Sequence, residues 1–273
     1  MEFTVEFTSV PPASDPRLQD GRRVLDALST AAFERLSVDV DPLLAVTLDG
    51  VRFAIEMAKL SYVRLQVAIG VLSTHAPSHP DHRSATYAAL EDAWSVLDTF
   101  CRLAHLVKAH KTLRSSDAGK RIGLLWKDVK VARDWVHHLH DRGRMDALAA
   151  TGRHVWGALG WQVMQGDGQV RLGFVVAGSA RRKGIIDPPL PSFTGLHSPF
   201  GALKLTGYER LDGPAASGAM RPVAVPLSEL IDAIADLVPV VRDLAATAID
   251  GSPDGETSTG ADAESAGGGH TEH

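Results

Sequence analysis

The feature that most constrains this chain is a set of three apolar-periodic runs between residues 50 and 142, each long enough for several helical turns. The first, residues 50–72 (GVRFAIEMAKLSYVRLQVAIGVL), holds apolar side chains at helical spacing without a proline and stops at STHAPSHPDH. The second, residues 84–111, opens on Ser84 as an N-cap and sets Leu90, Trp94, Leu97, Cys101, Ala104 and Leu106 near one face. The third, residues 120–142, places Ile122, Leu125, Val129, Ala132, Val136 and Leu139 at alternating steps of three and four. Stripes of this kind must be buried against one another, which predicts three antiparallel helices in an up-down bundle. Residues 17–36 are amphipathic despite Gly21, and MDALAATG reads as a short helix ending at Gly152.

Beyond His154 the period changes. VWGALGWQVM and QVRLGFVVAGSA are β-favourable runs joined through Asp167-Gly168, a strong hairpin turn. Residues 181–226 are rich in Gly and Pro and read mostly as loop, with 200–208 the one further strand expected. A last helix is expected from Pro226 to Ile249, with Ser228 and Glu229 in its first turn. The expected fold is therefore α+β: a mainly α-helical bundle, a small β-hairpin segment and a C-terminal helix. Its divisions are an N-terminal segment (1–49), the bundle (50–153), the hairpin with its loops and final helix (154–249), and a tail (250–273).

Charge sharpens that division. The tail carries six acids and no Lys or Arg, so the rest of the chain, within a total of −5, has a net charge of +1. Made of Gly, Ser, Thr and acid, the tail cannot bury enough apolar surface to offset its ordering entropy, and disorder is expected there. Residues 100–153 show the opposite bias, with twelve Lys/Arg against five aspartates, which suits a polyanionic partner. A solvated basic helix face is the alternative. No stretch approaches the roughly 18 apolar residues of a membrane helix, and MEFTVEFTSVPPASD is no signal peptide. A single cysteine, Cys101, excludes an intramolecular disulfide. The expectation is a cytoplasmic protein without membrane contact.

The densest chemistry lies in the third helix, where VARDWVHHLHDRGR sets Arg133 and Asp134 ahead of His137, His138 and His140. Arginine forks onto phosphate oxygens, and neutral imidazole exchanges a proton near pH 7. Together they are the minimum for cleaving RNA without a metal: a base for the 2′-hydroxyl, a cation for the phosphorane charge and an acid for the leaving oxygen. On a straight helix His140 lies roughly 20° from Arg133, whereas His138 lies roughly 140° away and needs a partner subunit or the helix end to bring it round. Lys127, Lys130, Arg142 and Arg144 would position phosphates.

This segment resembles the HEPN superfamily of helical-bundle domains, common among prokaryotic toxin and defence ribonucleases. Their motif is an arginine, usually followed by a polar residue, with a histidine after four to six intervening positions. Arg133, Asp134 and His138 match the four-residue form and His140 the six-residue form, while His137 falls outside the window. The resemblance covers roughly residues 50–150. It implies a metal-independent endoribonuclease acting as a homodimer, with Arg133, Asp134, His138 and His140 catalytic and no cofactor or metal. It also implies that an acid on the preceding helix, Asp92 or Asp98, orients the arginine.

Other readings stay open. The arginine and histidines also suit a solvated helix end, or a non-catalytic helical module that dimerises and binds nucleic acid or a protein partner. In that case the acidic tail is free to lie over a basic cleft as a polyanion mimic. His75, His79 and His82 could collect zinc but read as a Pro/His loop. His137 and Asp141 (i, i+4) read as a local salt link rather than a metal site, and Arg181-Arg182-Lys183 as a surface triplet. Trp156 and Trp161 read as core positions on strands, and Cys101 as a small buried hydrophobe. No phosphate-loop or GxSxG pattern is present.

Overall fold

The computed structural model describes residues 41–76, 78–137, 145–146, 155–164, 170–176, 203–210 and 220–250. The expected helix over 17–36, most of MDALAATG and the acidic tail lie outside them.

Helix α1 spans Pro42–Thr74, eight residues earlier than its apolar run suggested. Asp41 caps it by accepting from the Leu44 amide at 2.9 Å, and Pro42 occupies the first turn, where its missing N–H costs nothing. Helix α2 spans Pro80–Ala109, and its cap is not Ser84 but His79, whose Nδ1 accepts from the Asp81 amide. The hydroxyl of Ser84 donates instead to the Asp81 carbonyl within the first turn. A short helix, α3 (Lys111–Ser115), leads to α4 (Asp117–His137). Between them the Ser116 hydroxyl donates to the Leu113 carbonyl and accepts from the Gly119 amide at 3.0 Å. A Cβ at Gly119 would lie 1.9 Å from that same carbonyl, so this tight turn requires glycine.

Strands β1 (Ala158–Met164) and β2 (Val170–Val176) form the expected antiparallel hairpin. Strand β3 (Lys204–Arg210) begins four residues later than the run at 200 suggested. A fourth strand, β4 (Met220–Pro226), lies where loop was expected, so the hairpin is half of a four-stranded antiparallel sheet ordered β2-β1-β3-β4. Pro222 and Pro226 argued against a strand because each lacks an amide donor. Among the described residues β4 pairs with β3 alone, and its outer edge accommodates them. Helix α5 (Leu227–Asp250) follows without a break.

The protein is mainly helical, with α1 packed along α2 and α4 wedged between α2, α5 and strands β3 and β4. One hydrophobic cluster runs from Leu48 and Ile55 of α1 through Phe100 and Leu103 of α2 and Ile122 of α4 to Leu205, Val225 and Leu237. The bundle and the sheet thus share a core. Arg121 on α4 is paired with Asp236 on α5, and Trp161 donates to the Ser73 hydroxyl at 3.1 Å, fixing the sheet to the end of α1. Among the described residues no helix is long and apolar enough to cross a membrane.

Candidate functional site

Packing α2 against α4 determines what the site contains. Ala132 of α4 is buried, and the bare backbone of Gly207 in β3 lies over it. That contact turns the next residue, Arg133, away from the sheet and toward α2, where its Nε donates to Asp98 Oδ1 at 2.7 Å. Arg102, one turn along α2, reaches Asp98 Oδ2 at 2.8 Å. His137, one turn along α4, brings Nε2 to 3.7 Å from Asp98 Oδ1. One carboxylate therefore gathers two guanidinium groups and an imidazole. Arg133 engages that carboxylate through Nε.

Partial burial pushes the Asp98 carboxyl up, but the hydrogen bond from Arg133 and the charges of Arg102 and Arg133 outweigh it and hold the group below its ordinary range. A carboxyl depressed on folding binds fewer protons in the folded chain than in the unfolded one. Its stabilisation is present above about pH 4, the ordinary aspartate range, and disappears as pH falls through the lower folded value. Asp98→Asn should thus lower stability near pH 7 by about 1 kcal/mol, given the partial exposure of the three partners. The two chains should converge in acid, once the pH has fallen below that depressed value. Urea unfolding under both conditions checks this, and a difference that persists in acid would contradict it.

These residues face a cleft of about 1690 Å³ between α1, α2 and α4, closed at one end by the turn before β1. Arg64 enters from α1 and is held by Asp92, through Nε at 2.9 Å and a terminal nitrogen at 2.6 Å. The choice left open in the sequence is resolved here: Asp98 holds Arg133, and Asp92 holds Arg64. Arg83 lies over the Tyr87 ring, 5.8 Å from its centroid, on the same wall. Trp94 donates to the Trp156 carbonyl at 3.2 Å and meets its ring edge-on, which keeps the half-exposed Trp156 at the cleft rim. Trp156 is therefore not a core strand residue, whereas Trp161 is. The cleft presents four arginines and two histidines beside Glu91 and Asp98, with three aromatic rings among them.

Not every residue singled out from sequence is here. Asp134 follows Arg133 on α4 but does not line the cleft, and neither do Lys127 and Lys130. Lys130 lies over the Trp126 face instead, with Lys108 beside it. His138, His140, Arg142 and Arg144 lie outside the described residues. His137, excluded by the family spacing, is the described histidine of that run that reaches the cleft; four residues from Arg133, it lies about 40° away on the wheel. Arg64, Arg83 and Arg102 carried no local signal.

The chain matches no family model, no curated protein and no solved structure.

Of groups suited to a metal, His75, His79 and Asp81 bring one ligand atom each within 4.8 Å at the α1–α2 turn. His75 Nδ1 contacts the Val71 carbonyl and His79 Nδ1 caps α2, so both rings already serve the helix ends. His82 stands nearby, and burial, then His75, lowers its pKa. Cys101 is buried, which pushes its thiol up to about 11 and leaves it unreactive at neutral pH.

Proposed function

We propose that the α1–α2–α4 cleft binds RNA and that the protein is a metal-independent endoribonuclease of the HEPN type. One observation carries this reading: Asp98 gathers Arg133, Arg102 and His137 at the wall of a cleft of about 1690 Å³. The bases would stack against Tyr87, Trp94 and Trp156, which tolerates any sequence because every base has a π-face. Arg64 and Arg83 would hold flanking phosphates.

In the proposed step the 2′-hydroxyl oxygen attacks phosphorus while its proton passes to His137. The bond from phosphorus to the 5′-oxygen breaks, and that oxygen takes a proton from solvent, which the imidazolium restores. The products are a 2′,3′-cyclic phosphate and a 5′-hydroxyl end. Arg133 and Arg102 would neutralise the charge that grows on the non-bridging oxygens. His138 and His140 follow on the same segment, as the family spacing implies, and the experiment below assigns the proton transfer among the three.

A second reading, a module that binds RNA without cutting it, is favoured by the double engagement of Asp98, which uses positive charge a phosphorane would need. Total RNA incubated in EDTA with the purified protein separates the two. The endoribonuclease leaves cyclic-phosphate ends, His137→Ala loses them, and the double variant His138→Ala, His140→Ala keeps them. Loss in the double variant alone would move the chemistry to those positions. Retention of RNA without fragments would establish the binding module, and neither retention nor fragments would end both readings.

A further inference from the structure

Helix α1 is apolar on two faces. One face, with Leu48, Val51, Ile55, Leu65 and Leu72, is buried in the core. The other displays Leu43 (74% exposed), Val46 (69%), Phe53 (56%), Met57, Leu60 and Val67 (66%) to solvent. With Gly50 and Arg64, these positions advance by alternating steps of three and four, the spacing that keeps a seam facing a second helix. Val63 widens the seam on one side. These seven large apolar side chains, each 37–74% exposed, amount to a patch on the order of several hundred Å². An ordinary monomer shows patches of roughly 300–600 Å², and a specific interface covers about 800 Å² per partner.

We infer that this face of α1 pairs with the same face of a second copy, the two helices running antiparallel about a two-fold axis near residues 54–55. Charge determines the direction. The flank of the seam reads Asp49, Arg52, Glu56, Lys59, again at steps of three and four. In a parallel pairing each charge meets its own kind. In the antiparallel pairing Asp49 stands opposite Lys59 and Arg52 opposite Glu56, each contact made twice by symmetry. Arg52 now bonds Asp49 within its own helix at 2.9 Å, and both are partly exposed, so the exchange between copies costs little. An axis at residue 55, one residue along from the centre of those charge pairs, sets Phe53 beside Met57 and Leu43 beside Val67. Met57 and Leu60 belong both to the seam and to the cleft wall, so the second copy would border the cleft mouth. The inference does not depend on what the cleft binds.

Sedimentation equilibrium of the full chain, of 29.1 kDa, should return twice that mass, and the double variant Val46→Glu, Phe53→Glu should return the monomer with unchanged helical circular dichroism. If that variant fails to fold, cysteine pairing in oxidising buffer decides on an otherwise native surface. Leu43→Cys combined with Val67→Cys should crosslink two chains, and Val67→Cys alone should not. Crosslinking by Val67→Cys alone would overturn the antiparallel register, and a dimer that survives both glutamates would overturn the surface. A wild-type monomer would overturn the inference, and protection of Val46→Cys from a thiol reagent in it would assign the cover to residues 1–40.

Discussion

Arg133→Ala should lower the proposed RNA cleavage at least a hundredfold while the protein still folds. Removing one preorganised donor from a developing oxyanion typically costs 10²–10³ in rate, and in the proposed reaction Arg133 would combine that role with a permanent charge. Its structural share is smaller, because Asp98 keeps Arg102 and the residue is partly exposed; about 1 kcal/mol is expected. Arg133→Lys should recover little of the rate. An ammonium can hold the Asp98 carboxylate or reach a phosphate, but it lacks the fork that lets one side chain do both. Fragment yield in EDTA read beside the thermal midpoint separates the roles: a loss of rate without a matching loss of midpoint assigns Arg133 to the phosphate. A variant that cuts as fast as wild type would remove Arg133 from the site and leave the cleft a binding surface.

What the sequence made legible divides along physical lines. Helices α1, α2, α4 and α5 and the first hairpin follow from periodicity and one Asp-Gly turn, which are local signals. Helix starts proved harder. Asp41-Pro42 and His79-Pro80 are cap-and-proline pairs, yet a proline before an apolar run reads as easily as the end of a loop. Strand β4 was hidden because its prolines are tolerable only on an edge, and edge position is a property of the sheet. In the site, Arg133 stood out, but its link to Asp98 spans 35 residues and no spacing rule reaches that far. His137 was within reach of wheel geometry alone. The outward face of α1 is a further case: the helical spacing of its apolar residues was legible, and only the packed structure shows which of them the core left bare.

Gly157→Ala should be the most destabilising small substitution in the sheet. Gly157 precedes β1 at φ +72°, where an L side chain costs roughly 1–2 kcal/mol by itself. A Cβ there would also lie 1.9 Å from the Thr206 carbonyl oxygen, a backbone atom of β3 that cannot rotate aside. Relief requires β1 to move away from β3 at the point where the two strands meet, since they pair only from Ala158–Thr206 to Gly160–Lys204. That junction unites the β1–β2 hairpin with the β3–β4 pair, and Leu159 and Leu205 are both buried there. A loss of about 3–5 kcal/mol is expected. For a chain of this size it corresponds to a fall of roughly 10 °C in the midpoint. Gly70→Ala is the matched control, with the opposite sign. It lies within α1 with no atom in the way, so added helix propensity should raise stability by about 0.5–1 kcal/mol. Thermal unfolding of both variants beside wild type tests the pair. A Gly157→Ala midpoint within a degree or two of wild type would mean that β1 and β3 are not held together as tightly as this junction requires.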